Sequence, residues 1–414
     1  MKKMKKNYVP TSISLYMNYL IIGMAILILP QNMDTLANQW HTSIASVSVV
    51  ISAVGIGRLV VMLVSGMLSD KLGRKPFAVM GALTYILFFI GILLSKSLLV
   101  ATIFGVLAGI ANSFIDAGTY PALMEMYPQH KGAANVTIKA FVSAGQFILP
   151  LIISLIVVHG LWYGWSFLLC SLILVLNVIF LLSFSRFPAR QLKKASTAEP
   201  TAATPAKGNV WIDGTLFTIF SFLAQGIFLL VSTWITKYGE SIVKMGDVSS
   251  RALVSYYSVG SITCVLLTIY LSHKGVQDIQ FLFVYMLLSF MSLLVMYLFP
   301  VAWVCSIMAF VVGFSAAGGV MQIGLTIMAS FFPNGKGTVT GVSQTAASIS
   351  GFVVPLLGAM LAANIANVIL LDVGLAFVGF VVASIIVYRY HKLFGRTPKQ
   401  TKPVTTPTLS KETN

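Results

Sequence analysis

The chain is predicted to be an all-α membrane protein of twelve transmembrane helices in two pseudo-symmetric six-helix halves. Three observations predict it. Of 414 residues, 57% are apolar and only 9% are charged, against about 25% charged in an average soluble domain. Apolar runs of roughly 20 residues, the length that crosses a bilayer, recur twelve times. Segments of the first half return in the second at a nearly constant offset. A mean hydropathy of +0.90 leaves too few polar residues to cover a surface in water. An ordinary soluble enzyme, a nucleic-acid-binding domain and a disordered chain are thereby excluded.

The first run, at about residues 12–33, follows Met1-Lys-Lys-Met-Lys-Lys6. It is long enough to span, and no small-x-small cleavage site follows, so it reads as a retained first helix rather than a signal peptide. Runs at 43–68, 77–94, 98–126, 134–158 and 163–185 complete a first half over residues 1–185. Residues 186–208 carry Pro188, Pro200, Pro205 and five basic side chains (Arg186, Arg190, Lys193, Lys194, Lys207), and read as a cytoplasmic linker. The second half, 209–390, holds runs at 211–235, 251–272, 279–299, 301–331, 338–363 and 367–390. Residues 391–414 are polar and rich in Thr, Lys and Pro, and read as a disordered cytoplasmic tail.

The basic residues set the orientation. With the N-terminus inside, the inner loops and tails collect 21 Lys and Arg, while the outer loops hold four: Lys96, Lys237, Lys244 and Arg251. Cytoplasmic loops carry the basic excess, so both termini are expected in the cytoplasm. The same pattern accounts for the net charge of +16 without a nucleic-acid partner. Cys170, Cys264 and Cys305 fall inside apolar runs and form no paired framework, so neither disulfides nor structural zinc are expected. There is no phosphate-binding loop, no cluster of metal ligands and no nucleophile–base constellation. No cofactor and no enzymatic chemistry are expected.

The repeat is visible in three places. Pro128-Gln-His-Lys-Gly132 returns as Pro333-Asn-Gly-Lys-Gly337, and Gly145-Gln-Phe-Ile-Leu-Pro150 as Ser350-Gly-Phe-Val-Val-Pro355, both 205 residues later. Leu68-Ser-Asp-Lys71 returns as Leu271-Ser-His-Lys274, 203 residues later. An even number of spans per copy makes the halves parallel, an arrangement suited to alternating access at a site between them.

The loop after the second span reads Gly66-Met-Leu-Ser-Asp70-Lys-Leu-Gly73-Arg74-Lys75-Pro76. It resembles the loop motif G-x-L-a-D-r-x-G-r-k of the major facilitator superfamily. The resemblance implies the major facilitator fold and a cytoplasmic gate built on Gly66, Asp70, Gly73, Arg74 and Lys75. The alternative is that the basic residues only set topology. Many relatives carry an arginine in span four where this chain has Gly105, and drug–proton antiporters carry G-P-x-x-G-G where span five here reads Ser143-Ala-Gly-Gln-Phe-Ile-Leu-Pro150. Both departures weigh against multidrug efflux. Span four continues Asn112-Ser-Phe-Ile-Asp116-Ala-Gly-Thr-Tyr-Pro121, which is similar to the acid-x-x-x-x-Pro segment of the fucose and glucose/galactose permease branch. Leu29-Pro30-Gln31 is similar to span one of that branch, although Ile26 stands where the fucose permease has an acid.

Ionisable groups inside the membrane are site candidates because an unpaired charge there is costly. Asp116 shares a helix face with Asn112 and with Thr119 and Tyr120. It reads as the proton-carrying carboxylate, with a fixed ion pair to Arg58 or Lys139 as the alternative. Arg58 in span two and Lys139 in span five, followed on one face by Ser143 and Gln146, would suit an anionic or carboxylate-bearing solute. The competing readings are a structural pair with Asp116 for Arg58 and snorkelling to the inner surface for Lys139. Glu125 reads as structural or gating. In the second half Gln225 and Gln322 are candidate solute contacts, with Ser315, Gly318, Gly319, Gln322 and Thr326 expected on one face of span ten. Asp213 and Asp372 are expected near the membrane interfaces.

The expectation is a monomeric secondary active transporter in the plasma membrane, not an enzyme. It would move a small polar or anionic organic solute (a sugar, sugar acid or other carboxylate) by proton symport. The partners are then the solute, protons and the lipid bilayer, with no nucleic acid. Proton-antiport efflux of a drug or amphiphile is the first alternative. A non-transporting receptor or scaffold is the second.

Overall fold

The computed structural model describes residues 8–127, 131–187, 208–332 and 336–395. The stretch 188–207, the tail beyond 395 and the segments at Pro128 and Pro333 lie outside the described residues. Helix α1 (Val9–Gln31) is followed by the short α2 (Met33–Gln39). Then come α3 (Ile44–Leu72), α4 (Arg74–Leu94), α5 (Leu98–Met126), α6 (Lys131–Val158) and α7 (Trp165–Ser183). After a π turn at Val210–Gly214 the chain forms α8 (Thr215–Ser241), α9 (Asp247–His273) and α10 (Asp278–Leu298). It ends with α11 (Ala302–Val312), α12 (Val320–Phe331), α13 (Lys336–Leu361) and α14 (Ile365–Phe394). Twelve segments among these are long and apolar enough to cross a bilayer, with α11 and α12 together counting as one.

Local chemistry sets the helix starts. Ser43, Ser97 and Asn364 accept from the backbone N–H of Ser46, Val100 and Ala366, satisfying donors that a first turn leaves open. Pro10 lies in the first turn of α1, where its missing N–H costs nothing. Pro150 and Pro355, the prolines of the second repeat, sit inside α6 and α13 at equivalent points.

The duplication is equally plain in the packing. Within the first six spans α1 packs on α6, and within the last six α8 packs on α13. Likewise α4 packs on α7, and α10 on α14. The seam between the halves is made by α3 on α13 and α6 on α9, two contacts that a pseudo-twofold exchanges. Gly55 stands at the first of these crossings, where an added methyl would lie 2.5 Å from the Phe352 nitrogen. Farther along the same two helices, Gly66 and Gly341 have nothing within 4 Å of the equivalent point. Helices α3 and α13 therefore touch near their middles and stand farther apart toward the end that carries the α3–α4 loop.

Three expectations need correction. Span ten is not one helix: α11 passes through a π turn at Gly313–Ala317 and breaks at Gly319, whose φ of +120° favours glycine. Gly313 is pressed on the Tyr257 carbonyl and Gly318 on Cys264, so the bend accommodates α9. The predicted single polar face is consequently split. Ser315 is buried and bonds to Ser289, Gly318 meets α9, and Gln322 and Thr326 are exposed. Lys237 lies in α8 rather than in a loop and is buried. Asp213 and Asp372, expected near the span ends, are both buried within the protein. Asp213 pairs with Arg389, whereas the Asp372 carboxyl has no hydrogen-bond partner among the described residues.

Candidate functional site

The site begins with two glycines. A methyl at Gly57 would stand 2.0 Å from the Val106 carbonyl oxygen, and one at Gly109 would stand 2.1 Å from that of Val54. The backbones of α3 and α5 are therefore in direct contact, as small residues permit in membrane bundles. Gly105 belongs to the same contact, with the Val50 oxygen 2.6 Å from its missing methyl. An arginine cannot occupy that position in this packing, which explains the departure from the family pattern.

This contact places Arg58 against Asp116. The Arg58 Nη2 donates to Asp116 Oδ2 at 3.0 Å, and the Tyr19 hydroxyl, arriving from α1, donates to Oδ1 at 2.7 Å. Ser113 donates to the Arg58 carbonyl at 3.1 Å. Tyr120 meets Tyr19 edge to face, 5.8 Å between ring centres, and Tyr85 stands beside Asn112. Arg58, Asn112 and Asp116 are thus brought together in a cluster with Tyr19, Tyr85 and Tyr120. The Arg58 Nε, buried, has no partner among the described residues.

Lys139 is set apart from that pair. Its ammonium lies 4.8 Å from the centre of the Phe228 ring of α8, across the seam between the halves. Among the described residues no carboxylate lies within ion-pair distance of it. Gln225 is one turn before Phe228 on the same face of α8, so it faces the same region. Ser143, one turn beyond Lys139, bonds to Ser261 of α9 at 3.0 Å. Gln146, one turn farther, is fully buried and neither amide atom has a partner among the described residues. Gln322 is exposed on α12, and none of the described contacts joins it to these groups.

At the membrane face opposite the α3–α4 loop, the halves are bonded together. Gln31 donates to Thr236 at 2.9 Å, Lys237 pairs with both Asp34 and Glu240, and Arg251 donates to the Gln31 carbonyl. Gln31 and Thr236 are 205 residues apart, the repeat offset, so they face each other on the pseudo-twofold itself. At the loop face Arg74 pairs with Asp70 at 2.6 Å and with Glu125 at 3.0 Å, and Lys75 donates to the Leu182 carbonyl. Gly73 turns the chain with a φ of +100°. These loop contacts stay within the first half. The halves are thus bonded to each other at the opposite face, whereas at the loop face no hydrogen bond joins them among the described residues.

Comparison with known proteins settles the family. The model of the major facilitator superfamily matches residues 11–355. The chain belongs to the major facilitator superfamily. It is 44% identical over 392 residues to the inner membrane transport protein YdiM of Escherichia coli (strain K12), covering 94% of this chain and 96% of that one. It is 38% identical over 395 residues to YfkL of Bacillus subtilis (strain 168), an uncharacterized MFS-type transporter, covering 95% and 99%. A crystal structure of a D-xylose–proton symporter superposes with a TM-score of 0.72 over 95% of this chain and 99% of that one, at 13% identity. That likeness is one of fold. The protein is a multi-pass membrane transporter and not an enzyme.

The sequence left some groups unremarked. Tyr19 and Tyr85 are aromatic residues in apolar spans, and nothing in their spacing marks them. Asp372 was visible as an acid, but its depth follows only from where α14 is capped, at Asn364.

Proposed function

We propose that this transporter moves a small organic anion, a sugar acid or other carboxylate, across the plasma membrane together with a proton. The observation that carries the proposal is Lys139: a cation over Phe228 at the seam, without a carboxylate partner among the described residues. An unpaired ammonium in a low-dielectric site is costly, and a solute carboxylate would offset that cost. Asp116 is the proton-coupling group. Protonating it would free Arg58, and the two states of that pair give the proton a means of changing the site. Asn112, Gln146 and Gln225 are the neutral contacts that would set specificity. Asp70 and Arg74, with Gly66, Gly73 and Lys75, form the gate at the loop face. The 21-to-4 basic asymmetry supports cytoplasmic termini, which would make the loop face the inner one, and the bonds between the halves at the opposite face favour an inward-facing conformation. The two six-helix halves, joined through residues 186–208, would rock as rigid bodies in a monomer.

The experiment is uptake by proteoliposomes containing a trapped pH dye. An inward proton gradient is imposed and sugars, sugar acids and other small carboxylates are added. A solute that acidifies the lumen establishes symport and its class. If none does, while a preloaded amphiphile alkalinises an acid-loaded lumen, antiport replaces the proposal.

A further inference from the structure

Asp372 takes no part in the site described, and its surroundings are unusual for an acid. It lies seven residues into α14, about 10 Å along the helix from its start. It is fully buried, and neither carboxyl oxygen has a hydrogen-bond partner among the described residues. The same face of α14 is apolar. Leu375 reaches Gly226 of α8, and Gly379 meets Met286, Ile227 and Leu223.

Among the described residues no cation stands ready to neutralise it. On α8 the ionisable groups are Lys237, Tyr238 and Glu240. Lys237 is taken by Asp34 and Glu240, and Tyr238 donates to the Met296 carbonyl at 2.8 Å. On α10, Tyr285 is bonded to Thr268 and Asp278 heads the far end of the helix. Tyr297 is the remaining titratable group of α10, and α13 has none between Gly337 and Leu361. The other ionisable groups of α14, from Tyr388 to Lys392, are more than four turns away. The titratable neighbour that interacts electrostatically with Asp372 is Tyr257 of α9. The Tyr257 hydroxyl donates to the Phe228 carbonyl at 3.4 Å, and the Phe228 ring is the one beneath Lys139.

We propose that Asp372 is a second proton-binding site, occupied in this conformation. A carboxylate without a cation or a hydrogen-bond donor cannot hold its charge in an apolar bundle, so it takes a proton instead. The proton site itself does not depend on the identity of the solute, and its test needs none.

The test is infrared difference spectroscopy of the full-length protein in lipid, between about pH 5 and about pH 9. Wild type should show the carbonyl stretch of a protonated carboxyl group at neutral pH, and that band should shift on exchange into deuterium oxide and fade at the alkaline end. Asp372→Asn should lack it, and Asp372→Glu should keep it at a displaced frequency. A spectrum unchanged in both variants overturns the assignment. So does a band that neither exchanges nor titrates, which would make Asp372 a permanently neutral packing group. Failure of the solute screen with this band intact would count against the symport reading and leave the proton site standing.

Discussion

Replacing Lys139 with Gln should weaken solute binding and leave the fold intact or more stable, two effects of opposite sign from one change. The duplicate position in the second half is Gln344, so the amide suits this helix environment. Hydrogen bonds to a charged group contribute about 1.5–3 kcal/mol. At about 1.4 kcal/mol per tenfold, losing the ammonium should weaken binding of a carboxylate solute about 10- to 100-fold. On the stability side, the variant forfeits the contact with Phe228, about 0.5–2 kcal/mol. It also removes a partly buried cation without a carboxylate partner among the described residues, whose cost inside a membrane bundle outweighs that contact. The balance favours the variant. The assay is a thermal-shift titration of purified wild type, Lys139→Gln and Lys139→Arg with the carboxylates that the liposome screen selects. Arg should retain most of the affinity. A glutamine variant that binds as tightly as wild type, or that unfolds at markedly lower temperature without solute, would refute the reasoning.

Asp116→Asn should abolish proton-driven accumulation while retaining solute exchange down a concentration gradient; accumulation that survives removes Asp116 from coupling. Arg58→Gln strands the half-buried Asp116 with Tyr19 as its remaining partner and should cost about 3–5 kcal/mol, while Arg58→Gln with Asp116→Asn should cost less than the arginine change alone. Equal losses in a denaturation series would show the pair to be inert. Lys237→Met breaks the bonds to Asp34 and Glu240, and at up to about 1 kcal/mol should raise opening of that face roughly two- to fivefold. Labelling of a cysteine at Ser143 by an impermeant maleimide reads this, since the three native cysteines are buried. Gly66→Val has open space here and should leave thermal stability unchanged yet depress transport, because closing the loop face brings α3 toward α13. Full transport activity in that variant would count against a gate at Gly66.

How legible the site was depended on the type of residue. Asp116, Arg58 and Lys139 stood out because charge is rare in apolar spans, and Asp116 with Arg58 proved to be one contact. Which cation would take the carboxylate stayed open, since Arg58 and Lys139 both lie within a span's reach of Asp116. The choice was made by Gly57 and Gly109, which let α3 and α5 touch. Tyr19 completes the pair from a third helix, and an apolar run does not distinguish a tyrosine facing a carboxylate from one facing lipid. The small-polar stripe of span ten was misread as a single face, because a period of 3.6 residues holds only while the helix is unbroken. The π turn and the left-handed Gly319 rotate the second part away from the first.

From sequence alone came the class of solvent, the number of spans, the duplication and the family. These follow from composition and from local hydrogen bonding, since each helix must satisfy its own backbone in lipid. Tertiary structure alone decided which charges are neutralised. It paired Arg58 with Asp116 and Lys237 with Asp34 and Glu240, and buried Asp372 with no partner among the described residues. Neutralisation depends on which helices approach within about 4 Å, a distance set by glycines and side-chain volumes on separate spans and not by spacing along any one of them.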